Sequence, residues 1–151
     1  MIQASPDAGL SEAERTPLVL DTHVLLWLVN KTGDLARRTV GRIDRAADRG
    51  DVVVSAIAIW EIAMLVRKGR LKLGESTRDW VAQALSRPGV RMSPLTPEIA
   101  IESEELPGRI HGDPADRIII ATARALDATL VTRDQLILAY GAQGHVEVLP
   151  A

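Results

Sequence analysis

Residues 113–134 constrain the chain most. Asp113-Pro114 opens a helix, because aspartate caps helix N-termini well and proline suits the first helical position. The helix becomes apolar almost at once, through Ile118-Ile119-Ile120, yet a second acid, Asp116, sits in its first turn. Leu130-Val131-Thr132 then reads as a short strand, and the segment closes on another acid, Asp134. Acids at the ends of core elements need an explanation, and Asp21 and Glu61 stand in similar settings.

Taken in order, the chain alternates strands with helices. Leu18-Val19-Leu20 is a short apolar strand closed by Asp21-Thr22, and His23 to Val29 reads as a buried helix capped by the acid. After a turn at Lys31–Asp34, Asp34 can cap a second helix, Leu35 to Arg49. Its apolar face is Ala36, Val40, Ile43 and Ala47. Arg38, Arg42, Arg45 and Arg49 form a second face, read as a solvated surface or as a phosphate-contacting edge. Asp51–Val54 is a β-branched strand, and Ser55 caps a helix running to Lys68 that is apolar on several sides and expected to be largely buried. Ser76 or Thr77 caps a further helix, Val90–Met92 is a strand, and Pro97 starts a short helix. Asp134 caps the helix that ends near Tyr140, Gly141 and Gly144 bracket a turn, and Val146–Val148 is the last strand. Such alternation argues for a parallel sheet with helices on both faces, in which ligands bind outside the carboxyl ends of the strands.

The length, 151 residues, suits a single core. Residues 1–16 read as a flexible extension and 17–151 as the folded domain. Cysteine is absent, which excludes disulfides, thiolate metal sites and a cysteine nucleophile, and fits a reducing cytoplasm. No apolar run approaches the roughly 20 residues that span a bilayer. A net charge of -2 means that binding to nucleic acid must come from local basic patches. The densest is Arg67, Lys68, Arg70 and Lys72. The same residues also read as a helix end whose cations favour the dipole.

Each acid has a structural reading. Asp21, Asp113 and Asp134 can be N-caps, and Asp116 can favour the helix dipole. Glu61 caps nothing, and it lies among Ile57, Ile59, Trp60, Ile62, Met64 and Leu65. A carboxylate inside a buried helix costs several kcal/mol unless a partner or metal compensates. If the four acids converge, they repel one another unless a cation is present. Their oxygen-only set selects Mg²⁺ or Mn²⁺ over Zn²⁺ and suits phosphoryl chemistry.

The pattern resembles the PIN-domain nucleases, most closely the VapC-type toxins of bacterial toxin–antitoxin pairs. Four segments carry the resemblance: Val19-Leu20-Asp21-Thr22-His23-Val24-Leu25-Leu26-Trp27; Ser55 through Trp60-Glu61-Ile62-Ala63 to Lys68-Gly69-Arg70-Leu71; His111 through Asp113-Pro114-Ala115-Asp116-Arg117; and Leu130-Val131-Thr132-Arg133-Asp134. The resemblance implies a three-layer α/β/α fold with a mostly parallel sheet of four to five strands. It also implies metal-dependent cleavage of RNA by a quartet of Asp21, Glu61, Asp116 and Asp134, holding Mg²⁺ or Mn²⁺. Thr22, Thr132 and Ser55 match supporting positions, and Asp113 mainly sets the helix. Arg67, Lys68, Arg70, Lys72, Arg117 and His111 are candidate RNA contacts, whereas Trp27 and Trp60 read as core or dimer contacts. The resemblance further implies a homodimer and a small VapB-like antitoxin that presents an Arg or Lys to the acids, with any DNA contact made through the antitoxin.

Three other readings are weighed. A haloacid-dehalogenase-like phosphatase wants a second Asp two residues after Asp21, where this chain has His23. A receiver domain needs a paired acid at the first strand and a Lys after the last, and neither is visible. A catalytically silent PIN-like module is the third, against which the intact quartet argues.

Overall fold

The computed structural model describes residues 9–110 and 112–151. Strands β1 (Leu18–Leu20), β2 (Val52–Ser55), β3 (Val90–Ser93), β4 (Thr129–Thr132) and β5 (Glu147–Pro150) form one sheet in the order β3-β2-β1-β4-β5. Every pairing is parallel. Between them run α1 (Thr22–Asn30), α2 (Arg37–Asp48), α3 (Ala56–Arg67), α4 (Thr77–Leu85), α5 (Pro97–Glu104), α6 (Pro114–Ala125) and α7 (Gln135–Ala142).

The three inner strands, β1, β2 and β4, are fully buried because both faces of the sheet are covered there, whereas the edge strands β3 and β5 carry exposed residues. Successive side chains point to opposite faces. Leu18 and Leu20 join Val24, Leu25, Ile43 and Trp80, from α1, α2 and α4, in one core. Val19 between them joins Ile99, Ile119, Ile120, Ile137 and Tyr140, from α5, α6 and α7, in the other. Each such buried side chain contributes roughly 1.5–3 kcal/mol. The result is the expected three-layer α/β/α arrangement.

Several local expectations are corrected. The second helix starts at Arg37, with Ala36 at its N-cap and no side-chain cap, so Asp34 does not cap it. Gly33, in the left-handed region at φ +73°, turns the chain first. Thr39, Ile43 and Ala46 then form the buried stripe, and the Thr39 hydroxyl donates to the Pro150 carbonyl at 2.9 Å. Helix α3 is covered on one side only. Ala58 and Ile62 are fully buried, while Trp60 is 55% exposed, so it is not a core residue. The turn bracketed by Gly141 and Gly144 forms as expected, the Gly144 amide donating to the Gly141 carbonyl at 2.9 Å just as α7 ends, and a side chain at 141 would run into Val148 of β5.

The first eight residues of the N-terminal extension lie outside the described ones. Its last part is anchored. Ala13–Arg15 forms a 3-10 turn, and the arginine row of α2 holds it. Arg42 donates to the Ala13 carbonyl at 3.2 Å, Arg49 to that of Thr16 at 3.4 Å, and Arg45 faces Glu14 at 3.7 Å. Among the described residues no helix is long and apolar enough to cross a membrane.

Candidate active site

The strand order turns back between β1 and β4, and at such a switch point the loops part to leave a crevice at the carboxyl ends. Asp21 is the first residue beyond β1, and its amide donates to the Val131 carbonyl at 3.0 Å. That bond sets its side chain against the end of β4. One carboxylate oxygen accepts from the Thr22 amide at 2.8 Å, and the other accepts from the Thr132 hydroxyl at 2.7 Å. Thr132 in turn accepts from the Asp134 amide at 3.0 Å. Asp134 caps α7, accepting from the amides of Leu136 at 2.8 Å and Ile137 at 3.1 Å through one oxygen. Thr132 thus ties together two acids that are far apart in sequence.

The other acids arrive on helices. Asp113 caps α6 by accepting from the Asp116 amide at 3.2 Å. Glu61 comes from the second turn of α3, half-buried beside α1. Asp21, Glu61, Asp113, Asp116 and Asp134 line one cleft of about 360 Å³. His23, Trp27 and Arg133 complete its wall.

Burial and mutual repulsion govern the electrostatics of Asp21 and Glu61. Asp21 is only 7% exposed, and burial pushes its carboxyl above the ordinary range. The bonds from Thr132 and the Thr22 amide oppose that, and the charge of Asp134 adds to it. Glu61 is also raised, first by burial and then by Asp21 and Asp113. The nearby Thr22 hydroxyl pulls it down, although that buried hydroxyl completes no hydrogen bond among the described residues. No salt bridge among the described residues reaches Asp21, Glu61 or Asp134.

These residues fit a hard divalent cation by their donor chemistry: all are carboxylates lining one cleft, and burial raises the proton affinity of Asp21 and Glu61. Among the described residues no three His, Asp or Glu side chains are placed closely enough to hold a metal ion together. The acids line an open cleft. Asp21, Glu61, Asp116 and Asp134 are the groups that could hold one.

The remaining predicted site residues lie elsewhere. Ser55 is buried and caps α3 through the Ile57 amide at 3.2 Å. Arg67, Lys68, Arg70 and Lys72 are exposed at the far end of α3 and just beyond it. Six residues separate Glu61 from Arg67, roughly 9 Å along a helix axis, and none of the four lines the cleft. Arg117 turns toward α5, donating to the Ser103 carbonyl at 2.8 Å and to that of Ile110 at 3.5 Å. His111 lies outside the described residues. Sequence reasoning did not count His23, Trp27 or Arg133 in the site. The available signal was spacing: once Asp21 caps α1, His23 and Trp27 fall one turn apart on a single helix face.

Comparison with known proteins matches the PIN domain family over residues 18–142. Ribonuclease VapC22 of Mycobacterium tuberculosis is 33% identical over 120 residues, which span 80% of this chain and 88% of that protein. VapBC2 from Rickettsia felis, solved bound to a DNA fragment from their promoter, matches in fold with a TM-score of 0.66 at 22% identity, over 88% of this chain and 97% of that one. The DNA-bound VapBC from Salmonella typhimurium gives a TM-score of 0.63 at 12% identity, over 89% and 98%.

Proposed function

Because the chain belongs to the PIN-domain family, we propose that it is the toxin of a toxin–antitoxin pair and a divalent-metal-dependent endoribonuclease. One observation carries the reading: acids from four separate elements line one cleft at the sheet's switch point, two of them, Asp21 and Glu61, raised by burial. Asp21, Glu61, Asp116 and Asp134 would hold Mg²⁺ or Mn²⁺. When bound, such an ion supplies charge neutralisation at a phosphate and activation of water.

The chain's own residues prepare for that chemistry. Thr132 and the Thr22 amide fix both oxygens of Asp21, so it needs little reorganisation. The cap bonds of Asp134 use one oxygen, and the residue also lines the cleft. Asp21 and Glu61, both raised by burial, would gain from a cation, because a cation offsets the cost of ionising there.

The protein partners of the reading are a small VapB-like antitoxin and a second copy of this chain. The exposed side of α3 supports a protein contact, since Trp60, Ala63 and Met64 line one hollow there and contiguous apolar surface marks such contacts. An antitoxin that offers an Arg or Lys to the acids would neutralise the cleft. Any contact with DNA would be made through the antitoxin.

The test is cleavage of total RNA with Mn²⁺, followed by mapping of the new ends. Activity should vanish with a chelator. Asp116→Asn should lower it by about 10²-fold or more, the consequence of losing several kcal/mol of charge stabilisation, while the circular dichroism stays native. Full activity in the folded variant rejects the assignment.

A further inference from the structure

Among the described residues Arg133 is the one arginine or lysine that lines the acidic cleft. An arginine beside several carboxylates would ordinarily fold onto one of them. Arg133 is held off by three anchors. Its Nε donates to the Ala151 carbonyl at 3.1 Å, and an Nη donates to the Asp34 carbonyl. Its guanidinium carbon lies 4.9 Å from the centre of the Trp27 ring.

Trp27 is fixed in turn. Lys31, in the left-handed conformation, and Thr32 both donate their amides to the Trp27 carbonyl at the end of α1. Gly33 then passes so close to the indole that a side chain there would run into it. The guanidinium is therefore a flat cation, with its second Nη making no hydrogen bond among the described residues. A planar, anchored guanidinium matches the oxygens of a phosphate, and anchoring lowers the ordering cost of binding.

We propose that Arg133, laid flat on Trp27, binds a phosphate oxygen of the nucleotide next to the scissile bond and so orients the RNA strand across the cleft. Trp27 is its positioning residue. The inference rests on the ribonuclease reading and adds a substrate-binding residue to it. It also accounts for how an acidic cleft receives a polyanion without its own arginine occupying the acids.

The test is binding of a short single-stranded RNA by fluorescence anisotropy over a series of KCl concentrations, on Asp116→Asn protein with Mg²⁺ present. Adding Arg133→Ala should weaken binding roughly tenfold or more. It should also lower the slope of log affinity against log salt by about 0.7, the share of one phosphate on a single strand. Arg133→Gln, whose amide can still donate to a carbonyl, must show the same loss of slope. Trp27→Leu should weaken binding less and add nothing once Arg133 is gone. A residue that only braces the fold would lower the melting temperature and leave the slope unchanged, which overturns the inference. If the unsubstituted protein cleaves no RNA and the Asp116→Asn protein binds none, the ribonuclease reading falls, and this inference with it. If cleavage is intact and Arg133→Ala changes neither KM nor slope, only the inference falls.

Discussion

At the amino end of the sheet, Glu102 pairs with Arg124 at 2.7 Å, and Asp51 stands 3.6 Å from Arg49 and 3.8 Å from Arg91. Arg124 also donates to the His145 carbonyl. At the carboxyl end, Asp21, Glu61 and Asp134 have no such pairing among the described residues. Both ends carry acids on the same kinds of element, so composition does not separate them. Size would separate them the other way, since the larger hollow, about 590 Å³ and lined by Glu98, Glu102, Asp127 and Glu147, lies at the amino end. What differs is the placement of cations. At the amino end, arginines pair with Glu102 and Asp51, and the one arginine lining the carboxyl-end cleft among the described residues is held away from its acids. Charge left uncompensated at a switch point identifies the site better than volume does.

The largest effect expected from this contrast is a metal-dependent gain in stability. An ion at about a hundred times its dissociation constant stabilises the folded state by about 2.7 kcal/mol. For a chain of this size that is a rise of roughly 5–10 °C in melting temperature. Scanning calorimetry with Mg²⁺ or Mn²⁺ should show it in the unsubstituted protein and in Glu102→Gln, and show little of it in Asp116→Asn. A shift that survives Asp116→Asn would move the cation away from the carboxyl end.

A smaller effect follows from protonation in the metal-free protein. Asp21 and Glu61 have folded pKa values above their ordinary 3.8 and 4.5. The folded state thus keeps protons that the unfolded chain releases. Their contribution to stability is greatest below the ordinary values, falls as pH rises to the folded values, and is level above them. In chelator, Asp21→Asn should flatten that fall and raise the melting temperature at neutral pH by roughly 2–4 °C, what about 1 kcal/mol produces here. Thermal melts from pH 3 to pH 8 measure it. A variant less stable than the parent at neutral pH would mean that the hydrogen bonds to Asp21 outweigh its desolvation.

The smallest effect belongs to the amino end. Glu102→Gln removes a partly exposed ion pair and should cost about 0–1 kcal/mol, read from the urea midpoint, with RNA cleavage unchanged. A large loss of cleavage there would erase the distinction between the two ends.

Much of this architecture was legible along the chain. The caps at Asp21, Ser55, Ser76, Asp113 and Asp134 all form as expected, because a cap bond reaches only one to three residues along the chain. The five strands follow from short runs of β-branched and aliphatic residues. The acids of the site stood out because they interrupt or close such runs, Glu61 most of all. The misreadings share a cause. Asp34 has a capping side chain, but Gly33 and the packing of Thr39 set where the helix begins. The apolar surface of α3 suggested burial, yet the neighbours that would cover one side are not part of this chain's described fold. The arginines of α2 looked like surface or phosphate contacts, and three of them hold residues 13–16.

Local hydrogen-bonding capacity and periodicity therefore determined the elements, their order and the identity of the acids. Only the tertiary structure decided which acids meet and which cations reach them. The parallel register of β1 on β4 sets Leu20 beside Val131, and so brings Asp21 to Thr132 and Asp134. Arg117, next to Asp116 in sequence, points to α5, whereas Arg133, next to Asp134, lies on Trp27 inside the cleft. Nothing within a few residues distinguishes those two arginines. Their directions are set by carbonyls and rings that the sheet brings from distant parts of the chain, and long-range packing carries no local signature to read.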